Sequence, residues 1–180
     1  MKLKNLIHGA AALVLGALPI TAEPVLAKDY MVTVARPNNL FLIDLESRKV
    51  ISNCEVPGFF APGVIVMSPD NTIAYILNGR WEDVVGVNVD SCEVVFSAKQ
   101  SEDDVRVKTL ASLAVSADGK ELYTVQNPTR LLPDRYEVME PRFAVYNTGD
   151  GLDAKPVRTF PAPRRLTVMA GNKRGGVYVG

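Results

Sequence analysis

Short apolar runs dominate the chain from residue 30 onward. Tyr30-Met-Val-Thr-Val34, Leu40-Phe-Leu-Ile43, Val64-Ile-Val-Met67, Ile73-Ala-Tyr-Ile-Leu77, Val84-Val-Gly-Val87 and Glu93-Val-Val-Phe96 are rich in β-branched residues and separated by Pro, Gly, Asn and Asp. Runs of about 4–8 residues, closely spaced and bounded by turn formers, predict strands. No stretch repeats its apolar positions with a helical period, so an all-β fold with very little helix is expected.

Two units recur along these runs. Ser68-Pro-Asp-Asn-Thr-Ile-Ala-Tyr75 returns 48 residues later as Ser116-Ala-Asp-Gly-Lys-Glu-Leu-Tyr123, with a degenerate copy through Gly171-Asn-Lys-Arg-Gly-Gly-Val-Tyr178. Asp holds a tight turn through its side-chain oxygen, and Asn or Gly accepts positive φ at the next position. Leu42-Ile-Asp-Leu-Glu-Ser-Arg-Lys-Val50 returns 44 residues later as Gly86-Val-Asn-Val-Asp-Ser-Cys-Glu-Val94, and a looser copy starts at Val145-Tyr-Asn-Thr148. The two hairpins alternate, which makes four strands per repeat and predicts a β-propeller of four-stranded antiparallel blades. The register puts blades at about 28–56, 63–98 and 110–161, with the start of another over 166–180. The first lacks its innermost strand. Closure takes typically 4–8 blades, so about three blades and a stub suggest roughly half of a longer ring. The tyrosines at 75, 123 and 178 recur with the blades and read as structural.

Residues 1–27 carry a different pattern. Lys2 and Lys4 precede an apolar stretch over Ala10–Ile20, and Val25 and Ala27 fit a small-residue cleavage site. That is the composition of a secretory signal peptide, and the stretch is well short of the roughly 20 apolar residues that span a bilayer. Periplasmic localisation is expected, with 28–180 as the mature part. The chain's single histidine, His8, leaves with the signal. Residues 28–180 therefore cannot themselves build a Ser-His-Asp site, a His-ligated metal site or a Cys-x-x-Cys-His haem attachment. With 20 basic and 20 acidic residues, no basic footprint for nucleic acid exists either.

Cys54 and Cys92 would reach an oxidising compartment, where a disulfide is possible. The repeat register disfavours their mutual pairing. Cys54 falls at the end of the outermost strand of the first blade, and Cys92 in the turn before the equivalent strand of the second, about one strand length away.

Longer stretches carry a resemblance. Asp29-Tyr-Met-Val-Thr-Val-Ala-Arg-Pro-Asn-Asn-Leu40, the unusual insertion Asn127-Pro-Thr-Arg-Leu-Leu-Pro-Asp-Arg-Tyr-Glu-Val138 with Pro141-Arg142, and Pro161-Ala-Pro-Arg-Arg-Leu-Thr-Val-Met169 are similar to the β subunits of quinohaemoprotein amine dehydrogenases. These are YVTN-type propellers, related to the heavy chain of methylamine dehydrogenase. The resemblance implies a seven-bladed ring when full length, in a periplasmic heterotrimer. A dihaem α subunit carries two haem c groups and a small γ subunit carries cysteine tryptophylquinone. The complex oxidatively deaminates primary amines and passes electrons to azurin or a cytochrome c. The β subunit binds no cofactor or metal, carries no catalytic residues, meets no membrane and scaffolds the γ subunit. The residues alone also permit a stand-alone periplasmic binding propeller, or a lactonase-type propeller hydrolase whose metal site would come from beyond residue 180.

Loops joining strands two and three, and those leading to the next blade, share one face of a propeller, its mouth face. They contain Asn78-Gly-Arg-Trp-Glu-Asp83, Gln100-Ser-Glu-Asp-Asp104 and the 127–141 insertion. Trp and Arg are enriched at interface hot spots, which makes Arg80, Trp81, Arg130, Arg135 and Tyr136 the candidate partner contacts. The competing expectation is a Trp81 packed between blades, with arginines paired to Glu82, Asp134 and Glu137. Glu102-Asp103-Asp104 reads as a solvated charge run, since adjacent carboxylates do not converge on a calcium ion unaided.

Overall fold

The computed structural model describes residues 28–58 and 62–180; the signal-peptide expectation for 1–27 lies outside the described residues. The fold is all-β, a partial propeller. Blade one holds β1 (Tyr30–Ala35), β2 (Asn39–Asp44) and β3 (Lys49–Glu55). Blade two holds β4 (Ile65–Met67), β5 (Ile73–Asn78), β6 (Asp83–Asn88) and β7 (Val94–Lys99). Both are antiparallel meanders in chain order.

Blade three is more elaborate. β8 (Val105–Lys108) precedes the innermost strand β9 (Leu113–Val115), and both pair with the long β10 (Glu121–Leu131). β11 (Tyr136–Val138) folds back on the far end of β10, and β12 (Arg142–Asn147) and β13 (Arg158–Pro161) complete the sheet. A hairpin of β14 (Met169–Gly171) and β15 (Val177–Val179) follows. A single 3-10 turn, Thr148–Asp150, is the only helical element among the described residues.

The recurring sequence units are recurring hydrogen-bond sets. Asp70 Oδ1 accepts from Ser68 Oγ (2.5 Å) and Thr72 N (3.1 Å), and Asp118 Oδ1 from Ser116 Oγ (2.6 Å) and Lys120 N (3.2 Å). Asn71 and Gly119 take φ of 61° and 74° between them. In the other hairpin Asp44, Asn88 and Asn147 each accept backbone N–H groups just ahead of them. A bulge sits beyond Leu42 in blade one and beyond Gly86 in blade two, the same 44-residue offset that relates the sequences.

Blade two is covered on both faces, so its strands read as continuous apolar runs rather than alternating ones. Ala74, Ile76, Val85 and Val87 face blade one, with Leu40, Cys54 and Val56. Tyr75, Leu77, Val84 and Phe96 face blade three, with Leu113, Leu122 and Tyr146. Phe96 meets Tyr75 and Tyr146 edge-on, at centroid distances of 5.7 and 6.3 Å, a favourable aromatic geometry. Gly86 leaves the space that Tyr75 and Phe96 fill.

The cysteine expectation is corrected. Cys54 and Cys92 form a disulfide, with Cα atoms 5.1 Å apart. Equivalent strands lie a strand length apart at their opposite ends only in a flat stack. Sheets twist, and the β6–β7 turn, with Cys92 at φ 60°, packs against the cluster that contains Cys54. The bond staples blade one to blade two.

Candidate functional site: the mouth-face groove

The 127–142 insertion continues β10 without interruption. Pro128 lacks an N–H, yet it breaks nothing because it falls where partners change. The ladder with β12 ends at Gln126, and the ladder with β11 begins at Thr129. β8 pairs with this same stretch on the other side, Asn127 opposite Lys108 through Arg130 opposite Val105. The result is a small three-stranded sheet of β8, the tail of β10 and β11, growing out of blade three.

Beside it stands the β5–β6 loop. Gly79, Arg80 and Trp81 all adopt left-handed backbone, at φ 59°, 58° and 72°. Such a conformation costs an L-residue about 1–2 kcal/mol, and it survives only where its surroundings hold it. Here Asn78 O accepts from Trp81 N (2.9 Å) and Glu82 N (3.2 Å), closing one left-handed turn. The segment entering blade three ties down the rest: Lys108 Nζ donates to Arg80 O (2.9 Å) and Thr109 N to Trp81 O (2.9 Å).

Glu82 is the electrostatic centre. Its Oε1 accepts from Lys108 Nζ (2.6 Å), and its Oε2 from Ser101 Oγ (2.8 Å) and Arg106 (2.9 Å). Burial works to raise its pKa, but the hydrogen bonds from Lys108, Ser101 and Arg106, with the Lys108 charge, outweigh it and hold Glu82 down to about 2. Its neighbour Asp83 is pushed upward, by burial first and then by the Glu82 charge, against Lys99 and Lys108.

An open cavity of about 520 Å³ lies against this loop, lined by Arg36, Pro62, Gly63, Arg80, Trp81, Lys108 and Leu110. The Trp81 indole covers Gly63, where a Cβ would collide with it. A second cavity of about 440 Å³ shares Arg80 and Lys108 and runs on past Glu82 to Lys99 and Arg106.

The structure brings Arg80 and Trp81 into one cavity, with Trp81 still 44% exposed rather than packed between blades. Glu82 pairs with Arg106 and Lys108, not with Arg80. Arg130, Arg135 and Tyr136 lie on the projecting sheet. Arg130 meets Glu137 at 3.3 Å and Asp104 at 3.8 Å, Arg135 meets Asp134 at 2.9 Å, and Tyr136 is 77% exposed. Sequence reasoning did not single out Arg36, Lys108 or Leu110. Lys108 is 28 residues from Arg80 in sequence, and nothing local marks it.

Neither a protein-family model nor a curated protein matches the sequence. Solved structures match in shape. The β-propeller domain of Cps50 (Swd1) from Myceliophteria_thermophila aligns over 84% of this chain and 50% of its own, at 11% identity and TM-score 0.60. The WD40 domain of Toxoplasma gondii coronin aligns over 83% and 36%, at 13% identity and TM-score 0.54. The dihydro-heme d1 dehydrogenase NirN, solved in complex with DHE, aligns over 88% and 32%, at 18% identity and TM-score 0.56. At these identities the likeness establishes the propeller fold. The chain spans between about a third and a half of the length of these three chains.

Proposed function

We propose that the chain is a non-catalytic propeller subunit of a periplasmic quinohaemoprotein amine dehydrogenase complex. In this reading it scaffolds the quinone-bearing γ subunit beside the dihaem α subunit. The complex deaminates primary amines oxidatively and delivers electrons to azurin or a cytochrome c. The observation that carries the reading is the insertion at 127–142, whose sequence resembles that family and whose backbone builds an extra sheet beside the mouth-face groove. A further support is the donor set. Residues 28–180 contain no histidine, and their only two cysteines are joined to each other. Covalent c-type haem attachment needs free cysteines next to a histidine, so residues 28–180 offer no such site, which is compatible with haems carried by an α subunit. What this chain supplies is surface: a rigid blade stack, a groove and a projecting sheet.

Purification from the native host tests the reading. A dihaem chain and a small quinone-bearing chain should co-purify with this one in fixed ratio. A protein that purifies alone and colourless sinks the subunit reading and favours a stand-alone binding propeller.

A further inference from the structure

We propose that the groove formed by the two mouth-face cavities is the docking site for an acidic segment of a partner protein, one with an apolar side chain among its carboxylates. The proposal rests on the reading that this face meets a partner chain, but not on which complex that partner belongs to.

Charge complementarity selects the occupant. The larger cavity is lined by three basic residues, Arg36, Arg80 and Lys108, and by no carboxylate. In the adjoining cavity Glu82 already accepts from Ser101, Arg106 and Lys108. Asp83 also lines the second cavity, so Glu82 and Asp83 stand there against Arg80, Lys99, Arg106 and Lys108, and with Arg36 the joined groove keeps a positive balance. Among the described residues no acceptor meets the Arg80 guanidinium. An occupant bringing carboxylates would give the Arg80 guanidinium its acceptors; a basic one would meet repulsion.

The floor of the groove selects the apolar anchor. Trp81 and Leu110 are 44% and 36% exposed, side by side against Pro62 and Gly63. The left-handed turn carries Trp81 to this position at a conformational cost, and the indole recovers only part of its burial within the chain. An inserted apolar side chain would complete that burial, in the arrangement that makes Trp and Arg frequent hot spots. The length of the groove argues for a chain segment rather than one small ion. The second cavity continues from Arg80 and Lys108 to Arg106 and Lys99, where four cations outnumber Glu82 and Asp83, so carboxylates on both sides of the anchor find cations.

The test uses the full-length protein and two synthetic peptides, acetyl-Glu-Glu-Leu-Phe-Glu-Glu-amide and its counterpart with Lys for every Glu. Trp81 is the only tryptophan among these 180 residues, and the part of the emission change that is lost in Trp81→Phe reports this groove. The acidic peptide should shift that emission saturably, and raising salt from about 0.05 to 0.5 M should weaken the affinity severalfold. Arg80→Glu should weaken it roughly tenfold or more and Arg80→Gln by less, because a hydrogen bond to a charged group is lost. The distant Arg174→Glu should leave it unchanged, and far-UV circular dichroism should show all of these variants folded. An equal response to both peptides, no response to the acidic one, or an unaltered affinity in Arg80→Glu overturns the proposal. Acidic-peptide binding by a chain that purifies without haem or quinone partners would keep the groove and remove the amine dehydrogenase reading. Co-purifying partners with no acidic-peptide binding would do the reverse.

Discussion

Glu82 shows how one residue can organise a surface. A carboxylate this enclosed is disfavoured by burial, yet three donors, Ser101 from the β7–β8 loop and Arg106 and Lys108 from β8, hold it ionised. Its folded pKa of about 2 lies below the ordinary value of 4.5. The stabilisation is therefore fully present above about pH 4.5 and is lost as pH falls toward 2. Because Arg106 and Lys108 are half exposed, solvent screening limits it to on the order of 1–2 kcal/mol. Urea titrations of the parent and Glu82→Gln across pH 2–7 should show this: the parent loses stability through the window and the variant is weaker at neutral pH but flatter there. Parallel curves would show that the charged triad of Glu82, Arg106 and Lys108 contributes no pH-dependent stability. The same triad holds Lys108 where it can grip Arg80 O, so Glu82→Gln should also alter Trp81 emission.

Among the elements, blade one differs from blade two. It has three strands where blade two has four, and β1 has only β2 beside it among the described residues. Its apolar face rests on Ala74, Ile76 and Val87 of blade two, and the Cys54–Cys92 bond reinforces that contact across a separation of 38 residues. Constraining an unfolded loop of that size is worth about 3–4 kcal/mol in the chain-entropy account. Reduction with dithiothreitol, or Cys92→Ser, should lower the unfolding midpoint by a corresponding amount. Limited proteolysis should then clip blade one while blades two and three stay protected. An unchanged midpoint would mean that apolar packing alone docks the blade.

Across the whole molecule, the middle of the stack is well covered and its two ends are not. Met31, Val50 and Ile51 of blade one, and Val168, Tyr178 and Val179 around the β14–β15 hairpin, are all substantially exposed. Exposed apolar surface next to open strand edges favours association. The 180-residue chain by itself should thus self-associate with rising concentration in light scattering or sedimentation. Ile51→Lys should shift the distribution toward smaller species. A sharp monomer at every concentration would show that these ends are not sticky. Shape comparison adds only the fold, because propellers of unrelated sequence share it at 11–18% identity.

What was legible in the sequence was local. The all-β class, the alternating hairpins and the turn chemistry of Asp70–Asn71 and Asp118–Gly119 follow from interactions that span a few residues, so residue order suffices to write them. Arg80 and Trp81 stood out because the sole tryptophan, and an arginine beside it in a loop, are visible without coordinates. Their left-handed backbone was not visible, since it depends on donors from Lys108 and Thr109 in the following blade. The continuity of β10 through Pro128 was hidden for a related reason: a proline breaks a strand only if its missing N–H is needed, and its neighbours decide that. The disulfide was misjudged because register gives position along a strand, while twist and blade packing set the distance between strands. Local hydrogen bonding and polarity are encoded residue by residue. The groove, the staple and the Glu82 triad exist only because stacked blades bring distant residues within a few ångströms.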